Sequence, residues 1–155
     1  MKLTNENVFT NIYLPNANEI QILSTISQVI ADKLGINEQE IKSGFLAREA
    51  AGSTAFGGKV AIPHANSSDI DEPNIFIMTF DDDINWNSSD DQPVNVVIAL
   101  IMPRNSHEKD YHYIVKNLRE ELTNQDIVDK FQNNLDNPDT LVQLVEDSIA
   151  QKSTN

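Results

Sequence analysis

The sequence REAAGSTAFGGKVAIPH, from Arg48 to His64, contains the pattern on which our interpretation of the fold depends. Residues 60–62 form a short apolar run, which predicts a buried strand. Pro63 then fixes its own φ angle and offers no backbone N–H group, so the run ends beside His64. We therefore expect a strand that presents an imidazole at its end.

Groups that bind anions come just before this predicted strand. A pair of adjacent glycines allows backbone N–H groups to approach a ligand closely, and Ser53 and Thr54 add two hydroxyl groups. Arg48 stands at the end of a predicted helix, where its guanidinium can grip a phosphate through two parallel hydrogen bonds. Together with the imidazole of His64, these groups suggest phosphoryl chemistry.

Three short segments carry a resemblance to a known family: residues 46–50 (LAREA), residues 53–54 (ST) and residues 61–65 (AIPHA). In sequence and spacing they resemble the active-site signature of phosphotransferase-system (PTS) enzyme IIA proteins of the fructose/mannitol superfamily, the type-2 EIIA domain. The resemblance extends over nearly the whole chain, because residues 96–101 and the helical last third lie where that family has a core strand and closing helices.

The resemblance implies a phosphocarrier. In that family the histidine that matches His64 takes a phosphoryl group from the phosphocarrier protein HPr and passes it to a cysteine of an enzyme IIB partner, which serves the membrane IIC permease. Arg48 would neutralise the phosphoryl oxygens. Ser53 and Thr54 would bind the phosphate, with Thr54 donating to these oxygens or fixing the imidazole. No cofactor is implied.

A second active-site histidine is typical of fructose-type and mannitol-type members, at the start of the helix that follows the central strand. His112 is the candidate here, and we include it among the catalytic residues. The apolar register of Ile114 and Leu118 instead places Tyr111 at that position and His112 one residue later. The galactitol-type branch also lacks this histidine, so the sequence slightly favours a galactitol-like or other sugar-alcohol member.

Length and composition predict one domain over residues 1–155 in a cytoplasmic protein. The 24 acidic and 11 basic side chains give a net charge of −13, which repels nucleic acid and anionic lipid and attracts a basic surface of a partner protein. Cysteine is absent, which excludes thiol chemistry and disulfides. No apolar run approaches about 20 residues, so direct membrane insertion is not expected.

Apolar periodicity predicts helices interleaved with strands, hence an α/β domain with a mixed sheet covered on both faces. A capping box formed by Asn16 and Glu19 is expected to begin the first helix, which is expected to end at Gly35. Residues 65–73 are read as a connection, and the chain beyond Gln151 as frayed. Strands are predicted at residues 8–14, 60–62, 75–80, 84–86 and 94–102. Further helices are predicted from Asn37 to about Ala50 and around residues 114–122, 127–131 and 141–149. The resemblance implies a mostly parallel central sheet of about five strands.

Other kinds of site fit the sequence poorly. The acidic residues 81–83 lack the alternating ligands and the central glycine of a calcium loop. Gly58 and Lys59 are followed by Val60 where a nucleotide-binding P-loop needs Ser or Thr. The three histidines, His64, His107 and His112, show no spacing that places a zinc-binding pair on one helical face, so no metal is predicted.

One alternative function remains open at this stage. A regulatory module of the same fold would be phosphorylated in the same way, but a transcription factor, a channel or a kinase would read its phosphorylation state. The site residues would be identical, so the sequence distinguishes the two roles poorly.

Overall fold

The computed structural model describes residues 1–88 and 90–150. In the described chain one strand and two α-helices come first, five consecutive strands follow, and three α-helices come last. Within these residues six strands form one sheet and five α-helices lie beside it. The strands are β1 (Val8–Ile12), β2 (Ala55–Gly57), β3 (Val60–Ala61), β4 (His64–Ser67), β5 (Asn74–Ile84) and β6 (Val94–Pro103). The helices are α1 (Glu19–Leu34), α2 (Glu38–Ala51), α3 (Glu108–Glu121), α4 (Gln125–Gln132) and α5 (Pro138–Ala150). The segment beyond Gln151, which we expected to fray, lies outside the described residues.

The sheet follows the order β1, β5, β6, β3, β2, and β4 also pairs with β6. Both β3 and β4 run parallel to β6, with Val60 opposite Val96 and His64 opposite Leu100, so they share one position in the sheet. β1 is parallel to β5, whereas β5 with β6 and β2 with β3 are antiparallel. These pairings confirm the predicted mixed, mostly parallel sheet of about five positions.

Helices cover both faces of the sheet because the central strand β6 is apolar on both sides. Its residues alternate between two buried clusters, one shared with α1 and α2 and the other with α3, α4 and α5. Val97, Ala99 and Ile101 belong to the first cluster, and Val96, Ile98 and Leu100 to the second. The predicted central position of this strand is confirmed.

The predicted start of α1 was wrong by two residues. The N-cap is Asn18, whose side-chain oxygen accepts a hydrogen bond from the backbone N–H of Gln21, and the side chain of Gln21 accepts one from the backbone N–H of Asn18, both at 3.0 Å. Asn16 lies in the preceding turn with φ +61°. The predicted end at Gly35 is confirmed, since this residue has φ +67° and caps the helix.

Two further predictions about strands were wrong. The first part of the expected connection over residues 65–73 lies in β4, because the open edge of β6 offers backbone hydrogen bonds that do not depend on apolar side chains. The strand expected over residues 75–80 belongs to a longer strand, β5, which continues through the exposed residues 81–83 to Ile84, opposite Val94 of β6. Charged residues fit there because their side chains remain in water. Of the strand expected over residues 84–86, only Ile84 lies in β5.

The turn between β2 and β3 requires glycine at residue 58. Gly58 has φ +65°, and a Cβ atom added there would lie 2.8 Å from Cγ2 of Val128 on α4. Gln132 of the same helix exchanges two hydrogen bonds with Asn95, at 2.8 and 2.9 Å. α4 is therefore held against the turn and cannot retreat without breaking these bonds.

We expect the substitution Gly58→Ala to lower the free energy of unfolding more than Gly35→Ala does. Both alanines would take a positive φ, which costs about 1–2 kcal/mol. No atom lies within 4 Å of a Cβ at Gly35, whereas Val128 blocks one at Gly58. Urea denaturation measures the difference, and Val128→Ala should recover part of the loss in Gly58→Ala. Equal losses in the two glycine variants would contradict the close contact between α4 and the turn.

Candidate functional site

A cleft of about 550 Å³ opens beside the carboxyl end of β6, between α2 and α3. In sheets of this kind, ligands commonly bind at the carboxyl ends of the strands. The lining residues come from α2 (Gly44, Arg48), β4 (His64, Ala65, Asn66), β6 and the turn after it (Met102, Pro103, Arg104, Ser106) and α3 (Tyr111, His112, Val115). The structure therefore brings together three of the predicted site residues, Arg48, His64 and His112.

His64 is the first residue of β4 and is half-buried. The backbone before it is held on both sides, because the N–H of Ile62 donates to the carbonyl of Thr54 at 2.9 Å and the N–H of Leu100 donates to the carbonyl of Pro63 at 3.0 Å. His64 itself pairs with Leu100 in the ladder. The imidazole thus starts from a rigid stretch of backbone.

Arg48 reaches the cleft from the last turn of α2. This helix packs closely on β4, since a Cβ atom added at Gly44 would lie 3.0 Å from the Cβ of Ala65. The Nη1 of Arg48 donates to the carbonyl of Gly52 at 2.7 Å. A guanidinium has five N–H donors, so one such contact orients the group and leaves donors for an anion.

Ser53 and Thr54 are engaged with neighbouring protein groups. The buried hydroxyl of Thr54 donates to Oε2 of Glu49 at 2.5 Å, and the hydroxyl oxygen of Ser53 accepts from the N–H of Ala55 at 3.2 Å. Among the described residues, the lining of the cleft includes neither of them. Their contact with a phosphoryl group stays a prediction, and for Thr54 it would require exchange of the bond to Glu49.

Arg104 is a second guanidinium in the cleft that the sequence interpretation missed. It follows the last residue of β6, and its backbone N–H donates to the carbonyl of Ser67 at 2.9 Å. Its Nε donates to Oε2 of Glu40 on α2, also at 2.9 Å. The sequence feature that could have identified Arg104 is its position directly after the predicted central strand, at the edge of the sheet where ligands bind.

Glu40 links α2 to the end of β4. Its carboxylate accepts the backbone N–H of Ser68 at 2.9 Å and the hydroxyl of the same residue at 3.0 and 3.1 Å. The pKa of Glu40 is held below its ordinary value chiefly by the Ser68 N–H, with smaller contributions from the Ser68 hydroxyl and Arg104, while burial acts in the opposite direction. This carboxylate also fixes the guanidinium of Arg104 from behind.

The first turns of α3 place Tyr111 and His112 side by side on the cleft. Tyr111 is half-buried and His112 is exposed, while Ile114 two residues later is fully buried. The predicted apolar register of α3 is thereby confirmed, and which of the two side chains serves as a second active-site group stays a prediction. His107 is exposed at the N-cap of α3.

The charge of the cleft differs from that of the whole chain. The chain has a net charge of −13, yet the described residues that line the cleft include two arginines and two histidines and no Asp or Glu. Such a lining attracts anions and offers them hydrogen-bond donors. Among the described side chains, no group of three His, Cys, Asp or Glu residues is arranged to hold a metal ion. None of the helices formed by residues 1–88 and 90–150 is long and apolar enough to span a membrane.

A family model described as "Phosphoenolpyruvate-dependent sugar phosphotransferase system, EIIA 2" matches residues 1–148. A nitrogen regulatory protein of Pseudomonas aeruginosa is 28% identical over 99 residues, which are 63% of this chain and 64% of that protein. A PTS system fructose-like EIIA component of Escherichia coli is 32% identical over 87 residues, 56% of this chain and 58% of that one. The matched part thus spans about three fifths of each relative's length.

Solved structures share the fold at low sequence identity. The nitrogen regulatory protein IIA-Ntr of Neisseria meningitidis has a TM-score of 0.78 with 14% identity, covering 92% of this chain and 94% of that one. A second match is a chain in the complex of the mannitol enzyme IIA with phosphorylated enzyme IIB of Escherichia coli. It has a TM-score of 0.72 with 15% identity, and the match covers 94% of this chain and 98% of that chain. At these identities the likeness establishes the arrangement of strands and helices.

The contacts of Glu40 predict an acid-sensitive contribution to stability. Because its pKa is lower in the folded chain than its ordinary 4.5, the contribution is complete above about pH 4.5 and is lost as the pH falls through the folded value. We expect the stability difference between the wild type and Glu40→Gln to shrink on acidification below pH 4.5. Urea denaturation at a series of pH values measures it, with Glu38→Gln on the same helix as control. A difference that stays constant with pH would contradict the proposed contacts.

Proposed function

The chain belongs to the EIIA type 2 family of the phosphoenolpyruvate-dependent sugar phosphotransferase system, and from this membership we propose that it carries a phosphoryl group on His64. The observation that supports this most directly is the cationic cleft around that residue. Arg48 and Arg104 line it together with the imidazole, and the described lining contains no carboxylate that would repel a phosphoryl group. An imidazole is a competent nucleophile near physiological pH.

The transfer consists of two reversible displacements at phosphorus. In the first, a ring nitrogen of His64 attacks the phosphohistidine of the donor HPr, the N–P bond of the donor breaks, and the proton released by His64 is balanced by the one that the departing imidazole gains. In the second, a cysteine sulfur of an enzyme IIB partner loses its proton and attacks phosphorus, the S–P bond forms, the N–P bond of His64 breaks, and the departing imidazole takes up one proton, which balances the one that the cysteine lost. No cofactor takes part in either step.

The protein groups act by position and charge, as phosphoryl transfer requires. Arg48 is held at Gly52 and presents its remaining N–H groups to the phosphoryl oxygens. In the adjoining loop Ser53 supplies a hydroxyl group, and Thr54, whose hydroxyl donates to Glu49, holds the backbone that leads to His64. His112 on α3 lines the cleft and supports the bound group. The open cleft admits the donor and the acceptor in turn.

The acceptor is an enzyme IIB, which passes the group onward for uptake of a sugar or sugar alcohol through the IIC permease. The structural likeness to a mannitol enzyme IIA seen in complex with phosphorylated enzyme IIB supports this assignment. The fructose-like relative supports a sugar phosphotransferase as well. A galactitol-like, fructose-like or mannitol-like substrate is consistent with the family.

A regulatory role is the second candidate, and the names of the relatives favour it. Several are nitrogen regulatory proteins, including those of Pseudomonas aeruginosa and of Bradyrhizobium diazoefficiens, the latter 32% identical over 115 residues. In this role the same phosphoryl group on His64 would change the affinity of a partner protein. Transfer to an enzyme IIB cysteine would then be slow or absent.

We expect phosphorylation to depend on His64. Incubation with phosphoenolpyruvate, enzyme I and HPr should add one acid-labile phosphoryl group to the wild type and to His112→Ala and none to His64→Ala, as measured by intact mass. Arg48→Gln should slow the transfer about a hundredfold, because a preorganised donor to the phosphoryl oxygens is lost. Lys42→Gln, on the same helix but outside the cleft lining, is the matched control.

A wild type that gains no phosphoryl group would refute the carrier function. A gain that persists in His64→Ala would assign the chemistry to another residue. When the phosphorylated wild type is mixed with a purified enzyme IIB, rapid loss of the group from His64 to the IIB cysteine would establish the transport role. Retention of the group on His64 would favour the regulatory role.

A further inference from the structure

Glu49 follows Arg48 on the last turn of α2 but has a different set of partners. Its Oε1 accepts hydrogen bonds from the backbone N–H of Thr54 at 3.1 Å and from the indole N–H of Trp86 at 2.8 Å. Its Oε2 accepts the hydroxyl of Thr54 at 2.5 Å. We propose that Glu49 is a positioning residue, which fixes Arg48 and His64 for phosphoryl transfer; this inference rests on the proposed function.

The first connection runs from Glu49 to the strand that carries His64. Glu49 holds both the N–H and the hydroxyl of Thr54, and the carbonyl of Thr54 accepts the N–H of Ile62 at 2.9 Å. Ile62 lies two residues before His64, and the intervening Pro63 has no N–H group with which to hold the strand. The bond from Ile62 to Thr54 therefore secures this stretch of backbone, and Glu49 secures Thr54.

The second connection runs from Glu49 to Arg48. The guanidinium of Arg48 is oriented by the carbonyl of Gly52, and Gly52 in turn donates its N–H to the backbone carbonyl of Glu49 at 3.1 Å. Gly52 is thus enclosed between α2 and Thr54, which the Glu49 carboxylate holds. Release of Thr54 would free the loop, and the carbonyl that orients Arg48 would move with it.

The third partner ties this arrangement to the core. Trp86 is buried and lies just after β5, so its indole N–H needs an acceptor, and Glu49 provides it. The carboxylate therefore receives three donors from two segments that are far apart in sequence. A glutamine at this position can keep one oxygen for the two N–H groups, but its NH₂ group would have to donate to the Thr54 hydroxyl, and the charge that strengthens all three hydrogen bonds would be lost. The negative charge of Glu49 is directed at these donors and not at the phosphoryl site.

The kinetic test uses phosphoramidate, which can phosphorylate a histidine without a protein donor. A ring nitrogen of His64 attacks phosphorus, the P–N bond breaks, ammonia leaves, and the proton released by the imidazole passes to the buffer. We expect Glu49→Gln to lower the rate about ten- to a hundredfold in the folded protein, since a small misplacement of reacting groups has effects of this size. Glu38→Gln, the same change about three turns earlier on α2, should react at the wild-type rate.

A double-mutant cycle separates positioning from a general loss of stability. Thr54→Val removes the hydroxyl and should slow the reaction, and Glu49→Gln/Thr54→Val should be no slower than Glu49→Gln, because both changes break one connection. Rates are measured well below the unfolding temperature of each variant. Additive effects would show that Glu49 does not act through Thr54 and would overturn the proposal.

Two spectroscopic signals test the arrangement without any phosphorylation. Trp86 is the single tryptophan of the chain, so its fluorescence reports the contact with Glu49 directly. The NMR resonances of the Arg48 side chain and of the His64 backbone amide should shift in Glu49→Gln and in Thr54→Val, and not in Glu38→Gln. Unchanged resonances together with an unchanged rate would overturn the positioning role.

The same set of measurements distinguishes failure of this inference from failure of the proposed function. A wild type that neither phosphoramidate nor HPr phosphorylates would refute the carrier function and the kinetic role of Glu49 with it. In that case the NMR shifts would still decide whether Glu49 holds Arg48 and the His64 strand. A phosphorylated wild type with a fully active Glu49→Gln variant would refute the inference about Glu49 alone.

Discussion

The pairing of β3 and β4 with the central strand β6 is the constraint on which the site depends. Val60 lies opposite Val96 and His64 opposite Leu100, so the register is the same on both sides of the break at Pro63. Side chains alternate along a strand, and a shift of one residue would move His64 to the opposite face of the sheet. The apolar residues of β6 determine this register because both of its faces are buried.

That register brings together groups from opposite faces of the sheet. Val60 and Ile62 lie in the cluster with α3, α4 and α5, which places His64 on the α3 side by alternation, whereas Ala65 contacts α2. β2 extends along β3 only, so among the described strands β4 has one neighbour, β6. Arg48 can therefore reach the same cleft from α2 across the uncovered edge of β4. The imidazole of His64 and the guanidinium of Arg48 therefore line one cleft although they come from different layers of the fold.

Local patterns predicted most elements of the fold and part of the site. The apolar stripes predicted the helices, Gly35 predicted the end of α1, and Pro63 with His64 predicted a strand that stops at an imidazole. Two asparagines, Asn16 and Asn18, each precede a Glu or Gln by three residues, and the sequence gives no reason to choose between them. Packing of the helix decides this choice, and a local pattern contains no information about packing.

The site residues that the sequence did not identify depend on contacts between distant segments. Arg104 is positioned by Glu40, 64 residues earlier, and Glu49 by Trp86, 37 residues later. β4 was missed for the same reason, because its polar residues form a strand only when the edge of β6 is present. Residue type and spacing indicate which groups can bind an anion, whereas the groups that orient them are found only when the chain is folded.

Phosphorylation would neutralise the positive charge of the cleft, and this effect is common to both candidate functions. A phosphoryl group adds about two negative charges at pH 7, and the two arginines of the described lining carry two positive charges, so the sum falls to about zero. A regulatory partner needs only to detect this change at the rim. An enzyme IIB must bring its sulfur in line with the N–P bond, which demands close approach to His64. His64 is half-buried at the start of a strand with an uncovered edge, and this position permits such an approach while the fixed backbone keeps the imidazole in place.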